Sequence, residues 1–178
     1  NTAGHVIAEK GFDGITKHYQ HSNAGRVTNM KGPGGMDTSY RYNGNGQLNY
    51  VDYADGTWET YSYNKEGQLI SAHNEQNRTY LEREEQGRIV AEKQDRGMGD
   101  AGHAINSEYD KNGLRTKISS TLGANIIQNY DALGQLNHIQ AAQQDKFWEA
   151  HITRNGHGQV TAYNFTGGVT NHFSYDEA

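Results

Sequence analysis

Apolar side chains in this chain do not gather into long runs but recur at fixed places around glycine. An aliphatic residue follows two positions after a Gly at Val6, Val27, Leu48, Leu69, Ile89, Leu136 and Val160. Tyr42, Tyr63, Tyr109 and Tyr130 lie four residues before such a Gly, and Tyr175 holds the same place ahead of a Gly expected just past Ala178. Tyr19, Tyr40, Tyr61 and Phe173 lie six before it. Residues two apart on a strand face the same side of a sheet, so Tyr40 with Tyr42 and Tyr61 with Tyr63 predict strands whose aromatic rings stack, repeat upon repeat, into a ladder. No stretch keeps a 3.6-residue apolar period, so helices are not expected; Ala141-Ala142-Gln143-Gln144 is the place with local helical propensity.

The glycines set the period. Gly4, Gly25, Gly46, Gly67, Gly87, Gly113, Gly134 and Gly158 are separated by 21, 21, 21, 20, 26, 21 and 24 residues, so eight repeats of about 21 residues fill the chain. Most are followed by His, Gln or Arg and then the aliphatic residue; Gly113-Leu114-Arg115 is a degenerate member. Ten residues after each stands a second column: Gly14, Gly35, Gly56, Asn77, Gly97, Gly123, Gln144 and Gly168. Gly and Asn tolerate the positive φ of tight hairpin turns, so every repeat carries two reversals with strand-length segments between them. At the first reversal, Asn43, Asn64, Asp110 and Asp131 precede Gly by three residues, which suits a type I turn closed by a left-handed Gly. These residues are read as turn devices, not metal-binding carboxylates.

The expected fold is all-β: tandem antiparallel hairpins, up to sixteen strands, in one sheet. So many strands predict a sheet that curls. The 26-residue interval predicts an enlarged hairpin loop around Arg96 to His103, and the 24-residue interval a smaller one around Gln143 to Trp148. The 20-residue interval predicts an irregularity near Tyr80 to Glu85, where Arg83-Glu84 replaces Tyr-Asp, because losing one strand residue reverses side-chain facing.

Composition first points elsewhere. Leu, Ile, Val and Phe supply 27 of 178 residues, about 15%, a level typical of disordered chains. A net charge of only −5, 12 Tyr and a single Pro argue for a folded chain, with aromatic area replacing missing aliphatic bulk. There is no Cys, which excludes disulfides, Cys-ligated metals and a thiol nucleophile. A pI near 6.0 with mixed charges disfavours nucleic acid. No apolar run approaches a membrane span, and Asn1 to His5 has no leader pattern.

The pattern Tyr-Asp-x-x-Gly-x-aliphatic, clearest at Tyr130-Asp131-Ala132-Leu133-Gly134-Gln135-Leu136, resembles the YD repeat of the Rhs family. Asp55-Gly56 with Thr57-Trp58-Glu59-Thr60-Tyr61-Ser62-Tyr63 resembles that family's continuation, and the resemblance covers essentially the whole chain. Departures are Arg83-Glu84 and Arg154-Asn155 in place of Tyr-Asp, and Leu114-Arg115. The resemblance implies a strip of hairpins spiralling into a hollow shell, as in bacterial polymorphic toxins, the C components of insecticidal toxin complexes and teneurins. In the bacterial members the shell encloses a C-terminal toxic domain. The family's self-cleaving core segment has no counterpart here, where Pro33 is the single proline.

On this reading residues 1–178 are one repeat array. Asn1 and Ala178 both fall within a repeat, so the array is expected to be a piece of a longer chain, an engineered fragment or a proteolytic product. Expected partners are the rest of the parent shell and its enclosed effector, with self-association through sheet edges, or glycans, as further possibilities; the expected location is secreted or at a bacterial cell surface. No cofactor, metal or catalytic residue is assigned. His18 and His21 are three apart on a strand, and His151 and His157 flank a turn without a third ligand. Glu82, Glu84 and Glu85 with Arg83 read as a solvated face, and Gly32-Pro33-Gly34-Gly35 as a turn, not a phosphate loop. The leading function is a non-catalytic section of an encapsulating shell. The alternative is a recognition module in which Trp58 and Trp148 bind glycans or a partner surface.

Overall fold

The computed structural model describes residues 2–97 and 102–176. It is all-β. The first eight strands are β1 (Ala8–Lys10), β2 (Thr16–His21), β3 (Val27–Lys31), β4 (Asp37–Tyr42), β5 (Leu48–Tyr53), β6 (Trp58–Tyr63), β7 (Leu69–Asn74) and β8 (Arg78–Arg83). The second eight are β9 (Ile89–Asp95), β10 (His103–Tyr109), β11 (Arg115–Ser120), β12 (Ala124–Tyr130), β13 (Leu136–Gln143), β14 (Lys146–Arg154), β15 (Val160–Phe165) and β16 (Thr170–His172). Their order in the sheet is their order in the chain, and each pair such as β4 with β5 or β12 with β13 is antiparallel. The only helical residues described are a single 3₁₀ turn at Pro33–Gly35 between β3 and β4. By contacts the chain divides into two compact units, Asn1–Leu81 with Gln94–Gly102, and Glu82–Lys93 with His103–Ala178.

Among the described residues there is no conventional core. Among the described residues only Val51, Ala91, Ala150, Ala162, Thr38 and Ser71 are buried. Most side chains are half-covered by neighbours on their own face, which explains how so few aliphatic residues suffice.

The reversals share one geometry. At Asn43 the N–H donates to the Gln47 carbonyl (2.9 Å) and the Gly46 N–H donates to the Asn43 carbonyl (2.9 Å), while Asn43 Oδ1 accepts from the N–H groups of Asn45 and Gln47 (both 3.0 Å). Asp110 and Asp131 repeat these bonds, and Ser22 supplies its hydroxyl oxygen in the same way to the Arg26 N–H. The second reversal at Tyr53 to Thr57 follows the same backbone scheme, with Asp55 Oδ1 accepting from Thr57. These bonds also hold the exposed Asp55 carboxyl below its usual range, chiefly through Thr57.

An odd period of 21 raises a facing problem that a bulge resolves. Arg41 pairs with Tyr50 but Tyr42 with Leu48, leaving Asn49 as an extra residue. The same shift leaves Thr28, Ile70, Thr116, Asn137 and Thr161 extra, each three residues after its Gly. This recurrent bulge keeps the alternation correct from one repeat to the next.

Three local expectations are corrected. The 24-residue repeat makes no enlarged loop at Gln143 to Trp148: its extra residues lengthen β13 and β14, which pair down to Gln143↔Lys146 across a two-residue turn at Gln144-Asp145. The residues with helical propensity, Ala141 to Gln143, are thus in a strand, because cross-strand pairing outweighs local preference. The 20-residue repeat loses its residue in a turn and not near Tyr80: Asn74 N–H donates to the Asn77 carbonyl around Glu75-Gln76, and β8 pairs regularly as Ser71↔Tyr80 and Ala72↔Thr79. Asn77 closes that turn without a positive φ, whereas Gln144 is the non-glycine residue that adopts one, at 55°. The expected enlarged loop at Arg96 to His103, and Asn1 and Ala178 with their bearing on the chain ends, fall wholly or partly outside the described residues.

Candidate functional site

The repeated feature with the most specific geometry is a seam at the first-reversal end of successive hairpins. Within a hairpin the ladder runs far, from Thr38↔Tyr53 to Tyr42↔Leu48. Between hairpins it is short, spanning Tyr50↔Thr60 to Asp52↔Trp58. The strands therefore separate near the bulge, and the carbonyls of Val27, Leu48, Ile89, Arg115, Leu136 and Val160, two residues after their glycines, accept from side chains. Tyr hydroxyls fill the gap. Tyr42 donates to the Val27 carbonyl (2.7 Å), Tyr63 to Leu48 (2.7 Å), Tyr109 to Ile89 (3.0 Å), Tyr130 to Arg115 (2.8 Å) and Tyr175 to Val160 (2.7 Å). Each of these Tyr residues thereby reaches back to the preceding repeat. Where Tyr is replaced by Arg154, its Nη1 donates to the equivalent carbonyl, Leu136 (2.7 Å).

The residue after each Gly completes the seam by lying over the next repeat's turn. A Cβ added at Gly46 would meet Arg26 Nη2 at 1.8 Å, one at Gly25 would meet His5 Nε2 at 2.8 Å, and one at Gly113 would meet Arg88 Nη1 at 2.7 Å. Gly46 has a φ of 79°, which favours glycine there, and the absence of a Cβ lets the flexible Arg26 guanidinium lie against the turn. Gln47 Nε2 donates to the Gly67 carbonyl (2.7 Å), and Arg26 and Arg88 sit over the rings of Tyr42 and Tyr109 (5.8 and 4.7 Å). This explains the His, Gln or Arg that follows Gly in the sequence.

The glycines singled out from the period, Gly4, Gly14, Gly25, Gly35, Gly46, Gly56, Gly67, Gly87, Gly97, Gly113, Gly123, Gly134, Gly158 and Gly168, all have positive φ. The aromatic residues divide into two kinds. Those four before Gly make the seam. Those six before it pack across a strand pair: Tyr19 faces Met30, Tyr40 faces Val51, Tyr61 faces Ala72, and Phe173 meets Tyr163 edge-on at 5.5 Å. Tyr19 and Tyr61 hydroxyls donate to Glu9 and Glu59. Burial raises the hydroxyl pKa of Tyr42, and burial followed by the Glu59 hydrogen bond and charge raises that of Tyr61.

A second cluster lies on the opposite face of the sheet, where His138 pairs with His151 and Gln140 with Glu149 across β13 and β14. The two imidazoles stack at 3.9 Å with 5° between planes. Glu149 Oε2 lies 3.2 Å from His138 Nε2 and accepts from Gln140 Nε2 at 3.3 Å. Gln140 first, then His138, hold the Glu149 carboxyl below its usual range. Sequence reading paired His151 with His157 and missed His138, because the partner follows only from a turn at Gln144-Asp145, where a longer loop was expected.

No family model and no curated protein matches the chain. Solved structures do. The chain matches the crystal structure of TcdB2-TccC3 without its hypervariable C-terminal region with a TM-score of 0.79, at 16% identity over 96% of its length. It matches the Photorhabdus luminescens Tc holotoxin pore carrying the TccC3-D651A mutation at 0.78 and 17% over 91%, and TcdB2-TccC3-Cdc42 at 0.76 and 17% over 89%. The chain shares the fold of the matched stretch of these toxin-complex structures. It spans 10% of each of those chains, and the identity is low enough that the likeness is one of fold. The Rhs-type resemblance read from the YD pattern is met at that level.

Proposed function

We propose that the chain is a structural section of a shell that sequesters a C-terminal toxin or effector, with no catalytic role of its own. The seam carries this reading. At Tyr42, Tyr63, Tyr109, Tyr130, Arg154 and Tyr175 a side-chain bond to backbone ties a repeat to the one before it, a device suited to a long strip with few buried residues, and repeat arrays draw their stability from such neighbour contacts. The toxin-complex neighbours support it: one of them is TcdB2-TccC3 without its hypervariable C-terminal region. On this reading the parent protein is bacterial and exported, and acts beyond the cell that makes it. Among the described residues no helix is long and apolar enough to cross a membrane.

Reading the parent gene downstream of Ala178 tests the proposal. A shell-closing segment followed by a C-terminal domain that differs between strains is expected; a parent lacking both overturns it.

A second reading, glycan or partner binding, draws on a row of aromatic rings in contact: Trp148 with Phe165 (5.9 Å), Phe165 with Tyr163 (6.1 Å) and Tyr163 with Phe173 (5.5 Å). Trp148 is 41% exposed and offers a face for sugar stacking, while Trp58 is stacked on Tyr50. A glycan array with no signal above background removes this reading.

A further inference from the structure

We propose that His138, Glu149 and His151 form a binding site for a divalent transition metal of the zinc class, clamped across the β13–β14 hairpin. One ligand atom from each residue lies within 4.8 Å of the others, and among the described residues this is the group of three metal-ligating side chains so placed. Two imidazoles and one carboxylate, with water in the fourth position, are a donor set that suits zinc. A tetrahedral ion at about 2.0–2.1 Å from its ligands needs them roughly 3.3 Å apart. The distance from His138 Nε2 to Glu149 Oε2 is already 3.2 Å. What remains is movement of the exposed His151 ring out of its stack on His138.

The register makes the site more than a chance meeting of surface groups. His138 and His151 are directly opposed, and Glu149 is two residues from His151 on the same face. The surroundings also fit. Asn129 Nδ2 lies 3.3 Å from His138 Nδ1, an outer contact that fixes the ring, and Gln140 does the same for Glu149. A metal bound at His138 Nε2 requires the ring proton on Nδ1, where the Asn129 amide can present its oxygen to accept it. Two strands already joined by backbone bonds, ring stacking and the polar contacts of Glu149 would then also share a coordinate link.

Calorimetric titration of the 178-residue chain with Zn²⁺ in chelator-free buffer tests the site. One Zn²⁺ per chain is expected, with affinity at least tenfold lower in H151A and in H138A and unchanged in H157A, whose imidazole lies at the Asn155 turn. His151 is exposed, so H151A separates ligation from folding; circular dichroism of H138A shows whether that variant is comparable. In parallel, Zn²⁺ should raise the melting temperature of the parent sequence and leave that of H151A unmoved. Absence of saturable binding, or binding equally strong in H151A, overturns the proposal. Neither result bears on the shell reading, which does not depend on metal.

Discussion

Four residues after Gly46, on one face of the β4–β7 region, stands Tyr50, with the Arg41 guanidinium 4.8 Å from its centroid and Trp58 stacked beside it at 6.4 Å. Four residues after Gly134, at the corresponding place in the β12–β15 region, stands His138, with Asn129 in the position of Arg41 and His151 stacked across the strand. The backbone plan is the same in both, with equal bulges at Asn49 and Asn137 and equal turn bonds at Asn43 and Asp131. The seam behaves alike as well. Leu48 has its carbonyl capped by Tyr63, and Leu136 has its carbonyl capped by Arg154. What recurs is the carbonyl acceptor beside the bulge, and any long donor that reaches it will serve. The face four residues after Gly is unconstrained by that need, so one region fills it with an aromatic and cationic stack and the other with potential metal ligands.

The largest effect should come from crowding the seam. Gly46→Ala places a Cβ on Arg26 and forces an L-residue to a φ of 79°, so a loss of roughly 2–3 kcal/mol in urea unfolding is expected from the strained backbone and the lost Arg26 stack. Gly123→Ala has the same strain with nothing within 4 Å and should lose only about 1–2 kcal/mol. Equal losses would mean that Arg26 does not contribute.

Next come the two donors. Arg154→Met removes a charged donor from the Leu136 carbonyl and should cost about 1.5–3 kcal/mol, whereas Arg154→Tyr should restore most of it. Tyr63→Phe keeps the ring and removes only the bond to Leu48, for about 1 kcal/mol. If Arg154→Tyr is as unstable as Arg154→Met, the two regions do not share one seam. The smallest effect is a gain: Gln144→Gly relieves a φ of 55° at the β13–β14 turn and should add about 0.5–1 kcal/mol. In the β4–β7 region, the raised hydroxyl pKa values of Tyr42 and Tyr61 mean that their contribution is fully present below pH 10 and lost as pH rises through the folded values. Unfolding followed from pH 8 upward should therefore show constant stability and then decline, and Tyr61→Phe should flatten that decline.

Several elements were legible without coordinates. The 21-residue spacing of Gly25, Gly46 and Gly67, with Asn43 and Asn64 three residues ahead of their glycines, specifies turn position and type because few residues accept a left-handed φ. The bulges at Asn49 and Asn137 were not legible, since no residue type marks a bulge that any side chain can occupy. Nor was the choice at the two irregular repeats. A 24-residue interval is as compatible with a longer loop as with longer strands, and the structure takes longer strands because each added pair, such as Gln143↔Lys146, satisfies more backbone. His138 and His151 are thirteen residues apart in the chain, and only that register brings them together.

By itself, then, the sequence determined the period, the reversals, the all-β class and the aromatic composition of the ladder, because these rest on local φ preferences and on alternation along a strand. Tertiary structure decided what the Tyr hydroxyls do, why His, Gln or Arg follows Gly, and which face holds His138 with Glu149, because each depends on which carbonyl or side chain a neighbouring strand presents. A carbonyl beside a bulge meets its side-chain donor only once two hairpins lie side by side, and the residues that answer it lie fifteen or more positions away.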